Sequence, residues 1–194
     1  MRTERSDTKS KILNRAEDLF RQRSYSGFSY NDIAKPLGIK NAAIHYHFPS
    51  KGDLGVAIIQ RYRRLLARVT RRSPQNGEQA RQQLEALFDF ESGLATRDRR
   101  VCPLAVMATD YVNITPAMQS EGQQLVQEMT EWLTQVLKIG RDDGTFHFEG
   151  QAADKAVAIL AAFVGARQIS RVGRNDHFSS TVTQIRRDLG LPVE

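Results

Sequence analysis

Residues 29–37 and 40–48 each read as a helix too short to stand alone, and only Gly38 and Ile39 separate them. Isolated helices below about 12–15 residues are marginal in water, so this pair must be held by packing. Ser29 precedes the first run, and Asp32 follows three residues on, the place of a capping-box acid. Ile33, Ala34 and Leu37 stripe one face, and the run stops at Gly38, where a tight turn favours a residue without Cβ. Pro36 removes a backbone donor late in this helix, which predicts a tightened or frayed last turn. The second run ends at Pro49. Two short helices joined by a brief glycine-containing turn have the geometry of a helix-turn-helix. Its shared core is expected from Ile33, Leu37, Ile39, Ile44 and Phe48. Lys40, Asn41, Ala42, His45 and Tyr46 are then left to face a groove of DNA. Asn41 suits a base or a phosphate and Lys40 a phosphate, while Ala42 and Ala43 are small enough for close approach.

Charge agrees with that placement. Residues 1–72 hold 16 Lys and Arg against 6 Asp and Glu, and the remainder holds 12 against 16. The formal net charge of +6 is therefore carried by the first third, as expected if that part meets phosphate. A merely solvated arginine-rich face is the plainer alternative.

The rest of the chain is also helical in period. Ile12, Leu13, Ala16, Leu19 and Phe20 stripe a first helix, with Ser6, Asp7 or Thr8 as its expected cap. Ser50 caps a long fourth helix striped by Leu54, Ile58, Tyr62, Leu65 and Val69. Residues 73–77, Ser-Pro-Gln-Asn-Gly, read as a linker. Amphipathic runs follow at about 78–95, 103–112, 116–140, 151–172 and 177–189. Thr115-Pro116 marks one start, and Gly140 with Asp142-Asp143-Gly144 is expected to stop that helix. No stretch alternates as a strand would. The fold class is all-α: a three-helix head over residues 1–50 and a helical ligand-binding and dimerisation body over 51–194.

The stretch FSYNDIAKPLGIKNAAIHYHFPSKGDL, from Phe28 to Leu54, resembles the signature of the TetR-type repressor family. The resemblance implies an all-helical homodimer that binds a palindromic operator in double-stranded DNA and is released by a small-molecule effector. It implies a recognition helix at 40–47 and phosphate contacts by Ser29, with Tyr30 beside it, and by Lys51. Two departures bear on the operator rather than the fold. The family usually has Tyr-Tyr or Tyr-x before its His-Phe pair, where this chain has His45 and Tyr46, and a common Gly-Thr is Ala42-Ala43. His47 is expected to pack beside Phe48. His45 and His47 lie on different helix faces and make poor joint metal ligands.

In this family the last two long helices pair across a two-fold axis, here those at about 151–172 and 177–189. Residues 156–166 are apolar nearly all round, so that helix needs cover on more than one side. Ala158, Ala161, Ala162 and Gly165 permit close approach. A central core helix of a monomer is the alternative.

Candidate effector contacts, by helix position, are Phe90, Leu94, Met107, Tyr111, Met129, Trp132, Leu133, Phe163 and Gln168, each equally at home in a core. Cys102 is the single cysteine, which excludes an internal disulfide and a cysteine-based zinc site. It opens a helix beside Arg99 and Arg100, an electropositive setting that favours the thiolate. That segment resembles the N-ethylmaleimide-responsive branch of the family, so an electrophile- or redox-sensing repressor is the alternative mechanism. A small buried hydrophobe is the other reading of the same residue.

No cofactor and no metal are expected. The dinucleotide, P-loop, zinc-protease and nucleophile-elbow motifs are missing, which argues against an enzyme. Asp142-Asp143 reads as a solvated turn. An architectural DNA-coating protein would have no use for the acidic body. The polar start carries no apolar signal segment, and the eleven apolar residues at 156–166 fall short of the about 20 that span a bilayer, so the expected location is the cytoplasm.

Overall fold

The computed structural model describes residues 2–70, 72–98, 101–173 and 177–193. They form helices α1 (Arg2–Arg23), α2 (Tyr30–Leu37), α3 (Asn41–His47), α4 (Lys51–Thr70), α5 (Gly77–Asp98), α6 (Pro103–Thr109), α7 (Pro116–Asp142), α8 (Ala152–Val172) and α9 (His177–Asp188). The all-α class holds, and no strand occurs among the described residues. No helix among them is long and apolar enough to cross a membrane. Two compact units result, Met1–Arg64 with Cys102–Gln124, and Leu65–Val101 with Leu125–Glu194. The boundary expected at residue 50 falls inside the first of them.

In the first unit α1, α2 and α3 pack on one another. Ile12, Ala16, Leu19 and Phe20 of α1 close over Ile33 and Ala34 of α2 and Ile44 of α3, all buried. Each large side chain so buried stabilises by about 1.5–3 kcal/mol. α1 begins at Arg2, so Ser6, Asp7 and Thr8 lie inside it rather than capping it. Asp7 instead pairs with Lys11 one turn on, at 2.6 Å.

α6 and the first turns of α7 belong to this unit. Asp110, at the end of α6, accepts hydrogen bonds from the Ser26 backbone N–H (3.1 Å) and hydroxyl (3.3 Å). Glu121 of α7 accepts from Gln60 at 2.7 Å and pairs with Arg63 of α4. Along α4 the buried residues are Leu54, Ile58, Ile59, Tyr62 and Leu66, while Leu65 and Val69 are only half-buried. The stripe read from sequence drifts because a 3.6-residue turn shifts the inward position by one over this length.

The second unit packs α9 on α8 and α5. Phe163 lies edge-on to Phe88 (6.0 Å, 89°) and tilted on Phe178 (5.5 Å). Arg167 of α8 reaches the Glu91 carboxylate and donates to its backbone carbonyl at 3.0 Å, with its guanidinium over Phe178. Removing one partner of a buried pair like this costs about 3–5 kcal/mol.

α7 does not stop at Gly140, which lies within it. A Cβ there would stand 2.2 Å from the Phe146 ring, so glycine admits that ring against the helix. The turn comes at Gly144, in the left-handed region at φ 75. Asp143 is not simply solvated: it accepts the Gly77 N–H at 2.5 Å and so caps α5 from across the sequence.

Candidate nucleic-acid interface

Helix α2 opens on Ser29, whose backbone N–H and hydroxyl both donate to Asp32, at 2.8 and 2.6 Å. These bonds hold the Asp32 carboxyl below its usual range. The last turn resolves the problem of Pro36. Gly38 stands at φ 63, its N–H reaches Lys35 at 3.3 Å, and the Ile39 N–H reaches Ala34 at 3.1 Å. This is the tightened turn expected, in the form of a left-handed C-terminal cap. Ser50 and Asp53 make a reciprocal capping box at the start of α4, at 2.7 to 3.1 Å.

On α3, Ile44 is buried and Phe48 closes the end, while Lys40, Asn41, Ala42, His45 and Tyr46 are exposed together. Leu37 and Ile39 are half-buried rather than core. His47 is half-buried and packs edge-on against Tyr46 at 5.0 Å. His45 is held from two sides. Its ring lies 4.8 Å from that of Tyr30, edge to face, and its Nδ1 is 3.0 Å from the Pro49 carbonyl oxygen.

Two of the expected DNA contacts have partners within the protein. Tyr30 is half-buried, and its hydroxyl donates to the Phe48 carbonyl at 2.8 Å. Burial, with the Asp53 charge and Tyr25, pushes its pKa up to about 12, so it remains a donor. Lys51 donates to the Phe28 carbonyl at 2.5 Å, and its ammonium stands 4.5 Å from the ring centroids of both Tyr25 and Phe28. Burial lowers its pKa, against the opposing pull of Asp110 and Asp32. Lys51 thus ties the segment before α2 to the start of α4. Sequence reasoning missed this because an aromatic pair 23 and 26 residues upstream leaves no periodic mark. Ser29 remains exposed.

Of the candidate effector contacts in the first unit, Met107 is buried and Tyr111 largely exposed. In the second unit Met129, Trp132, Leu133 and Phe163 are buried, and Phe90 and Gln168 half-buried. The side chain of Leu94 lies outside the described residues. The Trp132 Nε1 and Gln168 Oε1 atoms are buried without a hydrogen-bond partner. Cys102 is buried just ahead of α6, its sulfur 3.9 Å from the Tyr62 hydroxyl. Arg99 and Arg100, expected beside it, lie outside the described residues.

Residues 12–58 match the family described as bacterial regulatory proteins, tetR family. Over 172 residues, 87% of this chain and 86% of the other, the sequence is 21% identical to the HTH-type transcriptional repressor NemR of Escherichia coli K12. A TetR-family regulator from Agrobacterium tumefaciens superposes with a TM-score of 0.85 at 27% identity, covering 95% of this chain and 99% of that one. The reduced form of E. coli NemR superposes with a TM-score of 0.79 at 19% identity, over 97% and 100%. The head over residues 12–58 thus carries the tetR-family signature, and along nearly its whole length the chain is similar in fold to TetR-family transcriptional regulators.

Proposed function

We propose that this chain is a transcriptional repressor that binds a palindromic operator as a homodimer and leaves it when a small effector occupies the body. The observation that carries the reading is the face of α3. Five residues that suit DNA are exposed together on a helix whose opposite side, Ile44 and Phe48, is buried. In such motifs the second helix enters the major groove and a two-fold dimer reads half-sites about one turn apart. Lys40 and Ser29 contact phosphate, and Asn41, Ala42, His45 and Tyr46 meet base edges.

Pairing of two copies through α8 and α9 is supported by a second face. Val157, Ala158, Ala161, Ile169 and Val172 are exposed along one side of α8, and a Cβ added at Gly165 would meet open space. Val157, Ile169 and Val172 are 54%, 57% and 91% accessible, far more than large apolar side chains in a covered helix. The chain then divides functionally into a head over 1–50 and a body over 51–194, in the cytoplasm.

The effector binds reversibly, contacting Trp132 and Gln168. Their unpartnered buried polar atoms support a ligand that supplies an acceptor to one and a donor to the other. Burial of Cys102 speaks against the thiol switch as the release mechanism. Selection of tight binders from random duplex DNA tests the whole reading. A palindrome with half-sites about 10 base pairs apart is expected. Sequence-independent binding would overturn it. Thiol labelling of the folded protein supplies the second arm. Slow labelling with operator binding intact is expected. Fast labelling of Cys102 that releases DNA, absent in Cys102→Ser, would restore the electrophile-sensing alternative.

A further inference from the structure

The side chain of His45 carries information beyond its exposure. A backbone carbonyl only accepts hydrogen bonds, so the 3.0 Å approach of His45 Nδ1 to the Pro49 oxygen requires a proton on Nδ1. A neutral imidazole has one N–H, and Nε2 is then left as an acceptor. The ring cannot readily swing away from this arrangement. Tyr30 packs edge-to-face against it at 4.8 Å, and Tyr30 is itself anchored by its hydroxyl on the Phe48 carbonyl at 2.8 Å. Pro49 is fixed in turn between Phe48, which is buried, and Ser50, which opens the capping box of α4. The bonded nitrogen is thus set by the fold, and Nε2 is the ring nitrogen left for a partner from outside, on a side chain that is exposed on α3.

In the major groove, adenine N6 and cytosine N4 carry amino donors, whereas guanine O6 and thymine O4 are acceptors. Such an acceptor pairs with the first kind and is repelled by the second. It is also repelled by phosphate oxygens, which only accept. We propose that His45 is a specificity-determining residue that selects an amino-bearing base, adenine or cytosine, over a keto base at one position of each half-site. The inference rests on α3 being the recognition helix, as proposed above. Among the exposed residues of that face Lys40 offers only donors and Asn41 both kinds, so an acceptor-only group sharpens what the face can distinguish.

Two measurements test it. Nitrogen-15 correlation spectra of the free protein at about pH 8, above the ordinary titration range of histidine, report which ring nitrogen carries the proton. The His45 signal is identified by its loss in His45→Phe among the four histidines. A proton on Nδ1 is expected, and a proton on Nε2 would overturn the proposal. In vitro selection from random duplex DNA is then run on the native protein and on His45→Phe. His45 is exposed, so the variant folds. The native protein is expected to prefer adenine or cytosine over guanine or thymine by roughly fivefold to tenfold at one half-site position, and His45→Phe to lose that preference alone. Loss of a keto preference would show that Nε2 donates. A uniform drop in affinity with every base preference intact would place His45 on phosphate. Either outcome overturns the proposal. If the native protein selects no sequence at all, the operator reading itself fails, whatever the tautomer.

Discussion

Helices α3 and α8 both expose one side, and the two sides could hardly differ more. On α3 the outward residues are Lys40, Asn41, Ala42, His45 and Tyr46, polar or small. On α8 they are Val157, Ala158, Ala161, Ile169 and Val172. Both helices bury the opposite side, Ile44 in one and Ala156, Ile159, Phe163 and Ala166 in the other. The contrast suits the different partner proposed for each outward face. A DNA groove is wet and charged, and it is read by hydrogen bonds placed on a rigid support. An apolar stripe left in water gains only when another apolar surface covers it. α3 is also only seven residues long and hangs on its neighbours, whereas α8 has 21. Its precision therefore comes from outside itself.

That dependence sets the largest expected effect. Ile44→Ala should destabilise the head by about 2–4 kcal/mol, since a fully buried side chain leaves a cavity. Denaturant unfolding should show it, with operator binding lost. A change below about 1 kcal/mol would mean that α3 is not held through this contact.

The second face is challenged by charge. Ile169→Arg should leave the monomer folded, because the site is exposed, yet weaken self-association by about a hundredfold or more. Sedimentation over a concentration series measures this. An unchanged dimer would move the partner surface off α8.

Lys51 distinguishes support from contact within the head. Lys51→Met should lower stability by about 1 kcal/mol through the lost charge-assisted hydrogen bond and ring contacts. The slope of affinity against salt should stay the same. A slope reduced by about 1 would mean that the side chain leaves its aromatic seat for a phosphate on the operator.

The smallest effect concerns the anchor of His45. The Tyr30 pKa is raised in the folded state, so its contribution is fully present below the unfolded value near 10 and is lost as pH rises through about 12. Tyr30→Phe should therefore lose less stability than the native protein between those values in alkaline unfolding. Identical alkaline profiles would mean that burial does not hold the Tyr30 hydroxyl protonated in the folded protein.

Much of the architecture was legible before any coordinates, because helical periodicity and caps are encoded within three or four residues. Ser29 and Asp32, Gly38 after Leu37, Ser50 before α4 and Pro116 opening α7 are all short-range signals, and each marks its helix as expected. The exposed face of α3 followed in the same way from the burial of Ile44. The misreadings were also local. Gly140 reads as a stop because a helical glycine has no other local meaning, and its real neighbour, Phe146, arrives only after the turn at Gly144. Ser6, Asp7 and Thr8 read as caps because a cap and an exposed polar turn have the same composition.

The amino-acid sequence by itself determined the helices, most of their ends, the polar face of α3 and the apolar excess of α8. Tertiary structure alone decided which polar groups are already engaged. Asp110 meets Ser26 across 84 residues, Asp143 meets Gly77 across 66, and Arg167 meets Glu91 across 76. It also seated Lys51 on Tyr25 and Phe28 and set Tyr30 against His45. The physical reason is range. Side-chain period records which side of a helix turns inward, but a hydrogen bond between distant segments depends on how those segments pack, and no spacing along the chain carries that.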